Sequence, residues 1–174
     1  MELNPGLSYL NTLLYEMPAA YASIEGSSKY PNLHGMVRFY PVTDGVLVNA
    51  ELYNLPVVSP ICSNHVFGFH IHQGTSCSGN AQDPFADAGL HYNPGGCEHP
   101  AHGGDLPPLF ATHEGFAWSV ILSDRFKWGD ILGHTVIVHD LPDDFRSQPA
   151  GNSGEKIGCG VIQKTTRSPS ARME

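Results

Sequence analysis

HVFGFHIH (residues 65–72) alternates apolar and polar side chains. Phe67, Phe69 and Ile71 fall on one face and His70 and His72 on the other, as in a strand with one face in a core. The same signature recurs outward from it. HGMVRFYPV (34–42) and GVLVNAELYNL (45–55) are separated by Thr43, Asp44 and the turn-forming Gly45, which predicts a β-hairpin. AYASIEG (20–26), FAWSVIL (116–122), HTVIVHD (134–140) and IGCGVIQ (157–163) read as further strands. About seven or eight strands, broken by irregular stretches from Gln73 to about Leu109 and from Leu141 to Lys156, predict an antiparallel sandwich or barrel. Loops of that length inside a compact domain are usually functional or disordered.

A chain of 174 residues suggests one domain with a self-sufficient core. Its 19 glycines and 14 prolines suit short strands joined by turns better than long helices. A formal charge of -8 argues against nucleic acid or an anionic membrane surface as partner. No apolar run approaches the ~20 residues of a membrane span. The N-terminus has no basic region and carries Glu2 and Glu16, so it reads as mature chain rather than a signal peptide, and the cytoplasm is the default compartment. Leu7, Leu10, Leu13 and Leu14 have helical spacing and predict a short helix docked on the domain. Four cysteines nevertheless permit a disulfide, which pulls against a cytoplasmic location, and they allow three pairings.

Ten histidines carry the chemistry, because neutral imidazole is the commonest metal ligand. His70 and His72, two apart on a strand, leave the same face, which suits two ligands of one ion. His139 ends another alternating strand. The segment GLHYNPGGCEHPAHGGD (89–105) adds His91, His99, His102 and Asp105, three nitrogens and an oxygen, a complete tetrahedral set for zinc. Imidazole also suits copper. His34, His65, His113 and His134 read as ordinary surface or core residues.

In order, GFHIH, GLHYNP, HGGDLPPL, GHTVIVHD and GNSGEKIGCGVI resemble the copper,zinc superoxide dismutase family over roughly Tyr21 to Gln163. The resemblance implies an eight-stranded Greek-key β-barrel over residues 20–164, with an N-terminal extension at 1–19 and a polar tail at 165–174. It implies copper on His70, His72, His91 and His139, and zinc on His91, His99, His102 and Asp105, so that His91 serves both ions. Asp143 falls where the family has an aspartate joining a copper histidine to a zinc histidine, with Asp144 beside it as the competing candidate. Cys77 and Cys159 match the family's disulfide pair, whereas Cys62 and Cys97 have no counterpart. The implied activity is dismutation of superoxide to dioxygen and hydrogen peroxide, with His91 carrying a proton. Superoxide is then the partner, and a homodimer is compatible with the family.

The sequence departs from the pattern in two places. Only Pro100 and Ala101 separate His99 from His102, so the chain must turn sharply if both face one ion. Lys156 stands where the family has an anion-guiding arginine, and Ala150 where it has a channel threonine. Lysine keeps the charge but not the planar five-donor fork, which predicts slower capture of the anion. A non-catalytic copper- and zinc-binding barrel is the alternative on the same ligands. A zinc hydrolase needs an open coordination position that a four-ligand set does not leave.

Overall fold

The computed structural model describes residues 5–57 and 64–166. Among them run a helix α1 (Pro5–Tyr15) and nine strands: β1 (Ala20–Gly26), β2 (His34–Val42), β3 (Gly45–Tyr53), β4 (Val66–Phe67), β5 (Phe69–His72), β6 (Leu109–Phe110), β7 (Ala117–Ser123), β8 (Thr135–His139) and β9 (Lys156–Lys164). Seven strands form one sheet in the order β5-β8-β9-β1-β2-β3-β7, while β4 pairs only with β6. Every ladder is antiparallel. The fold is the expected all-β Greek-key architecture.

Nine strands stand where the resemblance implies eight: HVFGFHIH is divided at Gly68, and Leu109–Phe110, not read as a strand in the sequence, forms β6. Val66 and Phe67 pair with β6, and Phe69 to His72 pair with β8. At the switch the Gly68 N–H donates to Leu141 O (2.8 Å) and its carbonyl accepts from the His139 N–H (2.9 Å). A Cβ on residue 68 would lie 2.9 Å from that of Ser153 and 3.2 Å from that of His139, so the glycine leaves room for these two side chains. The predicted hairpin forms with Val42 opposite Gly45 and a two-residue turn between them.

One face of the curled sheet makes the core. Ala22, Ile24, Val37, Phe39, Val48, Leu52, Phe69, Ile71, Val136, Val138 and Ile162 are buried there. Alternation places His70 and His72 on the opposite face of β5, yet both are buried as well, because the long loop after β5 folds over them. That loop is tied down by the Cys77–Cys159 disulfide and by Phe85 and Ala88 packed on Ile137 and Cys159 of the sheet. Cys97 is exposed and unpaired, while Cys62 lies outside the described residues, as do residues 167–174 of the polar tail.

Helix α1 packs against β2 with a different face from the one the leucine spacing predicts. Leu7, Leu10 and Leu14 are exposed, Leu13 is half-buried and Thr12 is buried. The Tyr9 hydroxyl donates to Asp44 Oδ2 (2.5 Å) in the β2–β3 turn. Periodicity identified the residues that share a helix face, but the contact with the hairpin decided which face turned inward. Among the described residues no helix is long and apolar enough to cross a membrane.

Candidate metal centre

Three of the seven ligand-bearing positions come from strands and four from the loop, with strand geometry fixing the first three. His70 and His72 are on β5, and His139 is at the end of β8, where the neighbouring ladder brings it beside them. The loop then lies along the free edge of β5. Isolated bridges pair His72 with His91 and His70 with Asp105. Backbone bonds hold this run: Ile71 N–H to Gly104 O (2.9 Å), Tyr92 N–H to Ile71 O (2.8 Å) and Gln73 N–H to Leu90 O (2.8 Å). Ligands distant in sequence are thereby set against each other by main-chain hydrogen bonds.

Two clusters result, His70/His72/His91/His139 and His91/His99/His102/Asp105. Within each, one ligand atom per residue lies within 4.8 Å of the others. His91 belongs to both. All six histidines are buried.

The hydrogen-bond partners fix which ring nitrogen faces inward, since a carbonyl or carboxylate oxygen can only accept. His72 Nδ1–H donates to Gly89 O (2.9 Å) and His139 Nδ1–H to Gly154 O (3.4 Å). Their Nε2 lone pairs then face each other at 3.3 Å. His70 Nε2–H donates to Asp143 Oδ2 (2.8 Å) and His99 Nε2–H to Asp143 Oδ1 (2.9 Å). The remaining nitrogens, His70 Nδ1 and His99 Nδ1, have no hydrogen-bond partner, and neither do His91 Nε2 and His102 Nδ1. Leaving a buried polar atom unpaired costs roughly 1–3 kcal/mol. Four such atoms beside two facing lone pairs are a donor set made for cations. His99 Nδ1 and His102 Nδ1 lie 3.1 and 3.3 Å from Asp105 oxygens without hydrogen-bond alignment, while His91 Nδ1 is 2.7 Å from Asp105 Oδ1. That arrangement fits an ion shared among them.

Electrostatics favour the neutral form of His70, His72 and His139. Burial, reinforced by the neighbouring rings His139 and His91, pushes the His72 pKa well below its ordinary value. Burial, then His70 and His91, does the same to His139. His70 is also lowered, chiefly by burial, although Asp143 opposes the shift. Burial alone would raise Asp143, but hydrogen bonds from His70, the Phe145 N–H and His99 outweigh it and hold the carboxyl far below the usual carboxylate range. In Asp105 burial is likewise outweighed, here by His91 and the His102 N–H. Asp143 therefore stays a carboxylate that keeps two imidazole protons pointing away from the clusters. Asp144, its sequence competitor, is turned elsewhere and caps the Arg146 and Ser147 N–H groups.

The two-residue gap closes by a turn in which the Ala101 N–H donates to Glu98 O (2.8 Å). Two side chains missed by sequence reasoning hold it. The Gln148 amide pairs with both backbone groups of His99 (3.0 and 2.7 Å), and Arg125 Nη1 donates to Pro100 O (2.9 Å). Neither residue carries a signal in the sequence, because their targets are backbone atoms. Lys156 is opposite His139 in the β8–β9 ladder, and its ammonium is bound to Asp83 Oδ2 (2.5 Å). Cys97 lies outside both clusters.

Residues 33–162 match the family model described as copper/zinc superoxide dismutase. The chain is 35% identical over 115 residues to the copper-zinc superoxide dismutase of Neisseria meningitidis and 38% identical over 110 residues to that of Actinobacillus pleuropneumoniae. These matches cover 58% and 55% of this chain but only 62% and 58% of those proteins, less than two thirds of either. Among solved structures, the copper/zinc superoxide dismutase from Brucella abortus superposes with a TM-score of 0.70 at 25% identity, covering 83% of this chain and 99% of that one.

Proposed function

The chain belongs to the copper/zinc superoxide dismutase family, and we propose on that basis that it converts two superoxide anions and two protons into dioxygen and hydrogen peroxide. The observation that carries the reading is the convergence of buried imidazole nitrogens on two adjoining points that share His91. In this reading His70, His72, His91 and His139 hold copper, and His91, His99, His102 and Asp105 hold zinc. Copper supplies a one-electron couple and zinc a fixed positive charge when bound.

The protein's own part is positional. Carbonyls of Gly89 and Gly154 keep the protons of His72 and His139 on Nδ1, so both Nε2 atoms remain ligands. Asp143 does the same for His70 and His99 from a single carboxylate, and so ties the two sets into one unit. In this reading Nε2 of His91 takes up and returns a proton, since His91 alone belongs to both clusters and its Nδ1 is engaged by Asp105 while Nε2 has no hydrogen-bond partner. Lys156, opposite His139 in the β8–β9 ladder, is a cation held in an ion pair with Asp83. Metal analysis with pulse radiolysis before and after copper and zinc loading tests the reading. A loaded protein that removes superoxide no faster than the metal-free one would refute it.

Two finer points belong to the same proposal. Trp118 (62% exposed), Val120 and Leu122 form an apolar row on the end strand β7, which favours a homodimer, and sedimentation equilibrium measures it. The cytoplasm, suggested by the sequence, competes with the Cys77–Cys159 disulfide, which favours an oxidising compartment. Thiol trapping in intact cells decides between them.

A further inference from the structure

Lys156 does not point free charge at its surroundings. Its ammonium is 2.5 Å from Asp83 Oδ2, and the two side chains are 15% and 38% exposed. Asp83 is held rigidly for this contact. Its Oδ1 accepts the Phe85 N–H (3.0 Å), its N–H donates to Asn80 Oδ1 (3.0 Å), and its carbonyl accepts from Asn80 (2.9 Å) and Ala86 (3.2 Å). Both carboxylate oxygens are therefore committed, one to the turn and one to lysine. The pair lines an open basin of about 510 Å³ together with Ser27, Lys29, Gln82 and Glu155. There Lys29 is bound to Glu155 (2.8 Å). Two cations and two carboxylates cancel, so the basin presents no net charge to an approaching anion.

We propose that Asp83 is a positioning residue that pins the Lys156 ammonium and thereby lowers the rate at which small anions reach the histidine cluster containing His139. The inference rests on the dismutase reading for the identity of the anion, but the pin itself does not. Replacing a carboxylate oxygen by an amide removes the charge and leaves an oxygen to accept the Phe85 N–H, so Asp83→Asn preserves the turn while releasing the lysine.

Three readouts test it. In metal-free protein, trace acetylation followed by peptide mass spectrometry reports amine reactivity; Asp83→Asn should raise labelling of Lys156 about 2- to 5-fold, the range of a partly exposed ion pair, with Lys29 unchanged. In copper- and zinc-loaded protein, azide titrated by visible absorption should bind about 2- to 5-fold more tightly in Asp83→Asn at low ionic strength. Superoxide turnover should rise by a similar factor, about 2- to 5-fold, with a steeper dependence on salt. Repeating the azide and turnover measurements in a Lys156→Gln background separates the pin from the general loss of a negative charge. Unchanged labelling of Lys156, or a gain in azide affinity just as large without the lysine, would overturn the proposal. Tighter azide binding in loaded Asp83→Asn, with no superoxide turnover in either the loaded wild-type protein or the variant, would overturn the dismutase reading and leave the pin standing.

Discussion

Removing the Cys77–Cys159 crosslink should destabilise the protein through its unfolded state. The bond spans 82 residues of sequence, and in the chain-entropy treatment closing a loop of that size reduces the unfolded ensemble by about 4.5 kcal/mol at 25 °C. The perturbation is the double substitution Cys77→Ala and Cys159→Ala, in a background carrying Cys62→Ser and Cys97→Ser so that no other thiol pairs. Alanine keeps Cys159's site apolar beside Phe85, Ala88 and Ile137, which confines the loss largely to the crosslink. Guanidinium titration of metal-free protein should show stability falling by about 4–5 kcal/mol. The m value should rise, because an uncrosslinked unfolded chain exposes more surface. For a domain of this size the melting temperature should drop by roughly 9–18 °C. A loss below about 1.5 kcal/mol with an unchanged m value would refute the account and show that packing, not the covalent tie, secures the loop.

Asp143→Asn should cost about 10- to 100-fold in metal affinity, because an amide cannot accept from both His70 and His99, and competition with a chelator measures it. Gly151→Ala should destabilise by about 2 kcal/mol or more in denaturant titration: the residue has φ +65°, and its Cβ would lie 2.1 Å from Asp143 Oδ1 and 2.7 Å from His99 Nε2. Metal retention should weaken in the same variant, and full retention would argue that Asp143 can bridge from another position. For metal-free protein the pH sign follows from His70, His72 and His139, whose folded pKa values lie below the ordinary 6.5. The unfolded chain binds protons that the folded one refuses, so stability is fully present above about pH 6.5 and is lost as pH falls through it. Each ring contributes about 1.4 kcal/mol per pH unit while it stays neutral in the fold, and a melting temperature flat from pH 7 to pH 5 would contradict the burial of the cluster.

Much of this arrangement was legible in the amino-acid order, for physical reasons. Alternation is a local property, so β1, β2, β3, β7, β8 and β9 were readable segment by segment. The spacing of His70 and His72 carries their shared face directly. The break at Gly68 was not readable, because it depends on two pairing partners, β6 and β8, about 40 and 70 residues away. Helix α1 shows the same limit, since the sequence marks Leu7, Leu10 and Leu14 as one face without saying what that face meets. Around the metal centre, residue types revealed the ligands but not their supports. Gln148 grips His99 across 49 residues and Asp83 holds Lys156 across 73. Glutamine and aspartate in a loop look like any solvated polar side chain until the loops are folded.

β5 is the outermost strand of the seven-stranded sheet, and the ligand-bearing loop occupies its otherwise open side through Ile71, Gln73, Leu90, Tyr92 and Gly104. The segment that gathers the ions is therefore also what stops that margin from recruiting another chain. A strand carrying Phe69 and Ile71 with bare amides and carbonyls is a template for intermolecular pairing. Chelation, by loosening the loop, should thus convert a chemical defect into a colloidal one. Light scattering after metal removal should rise with protein concentration, and restoring zinc alone should suppress it.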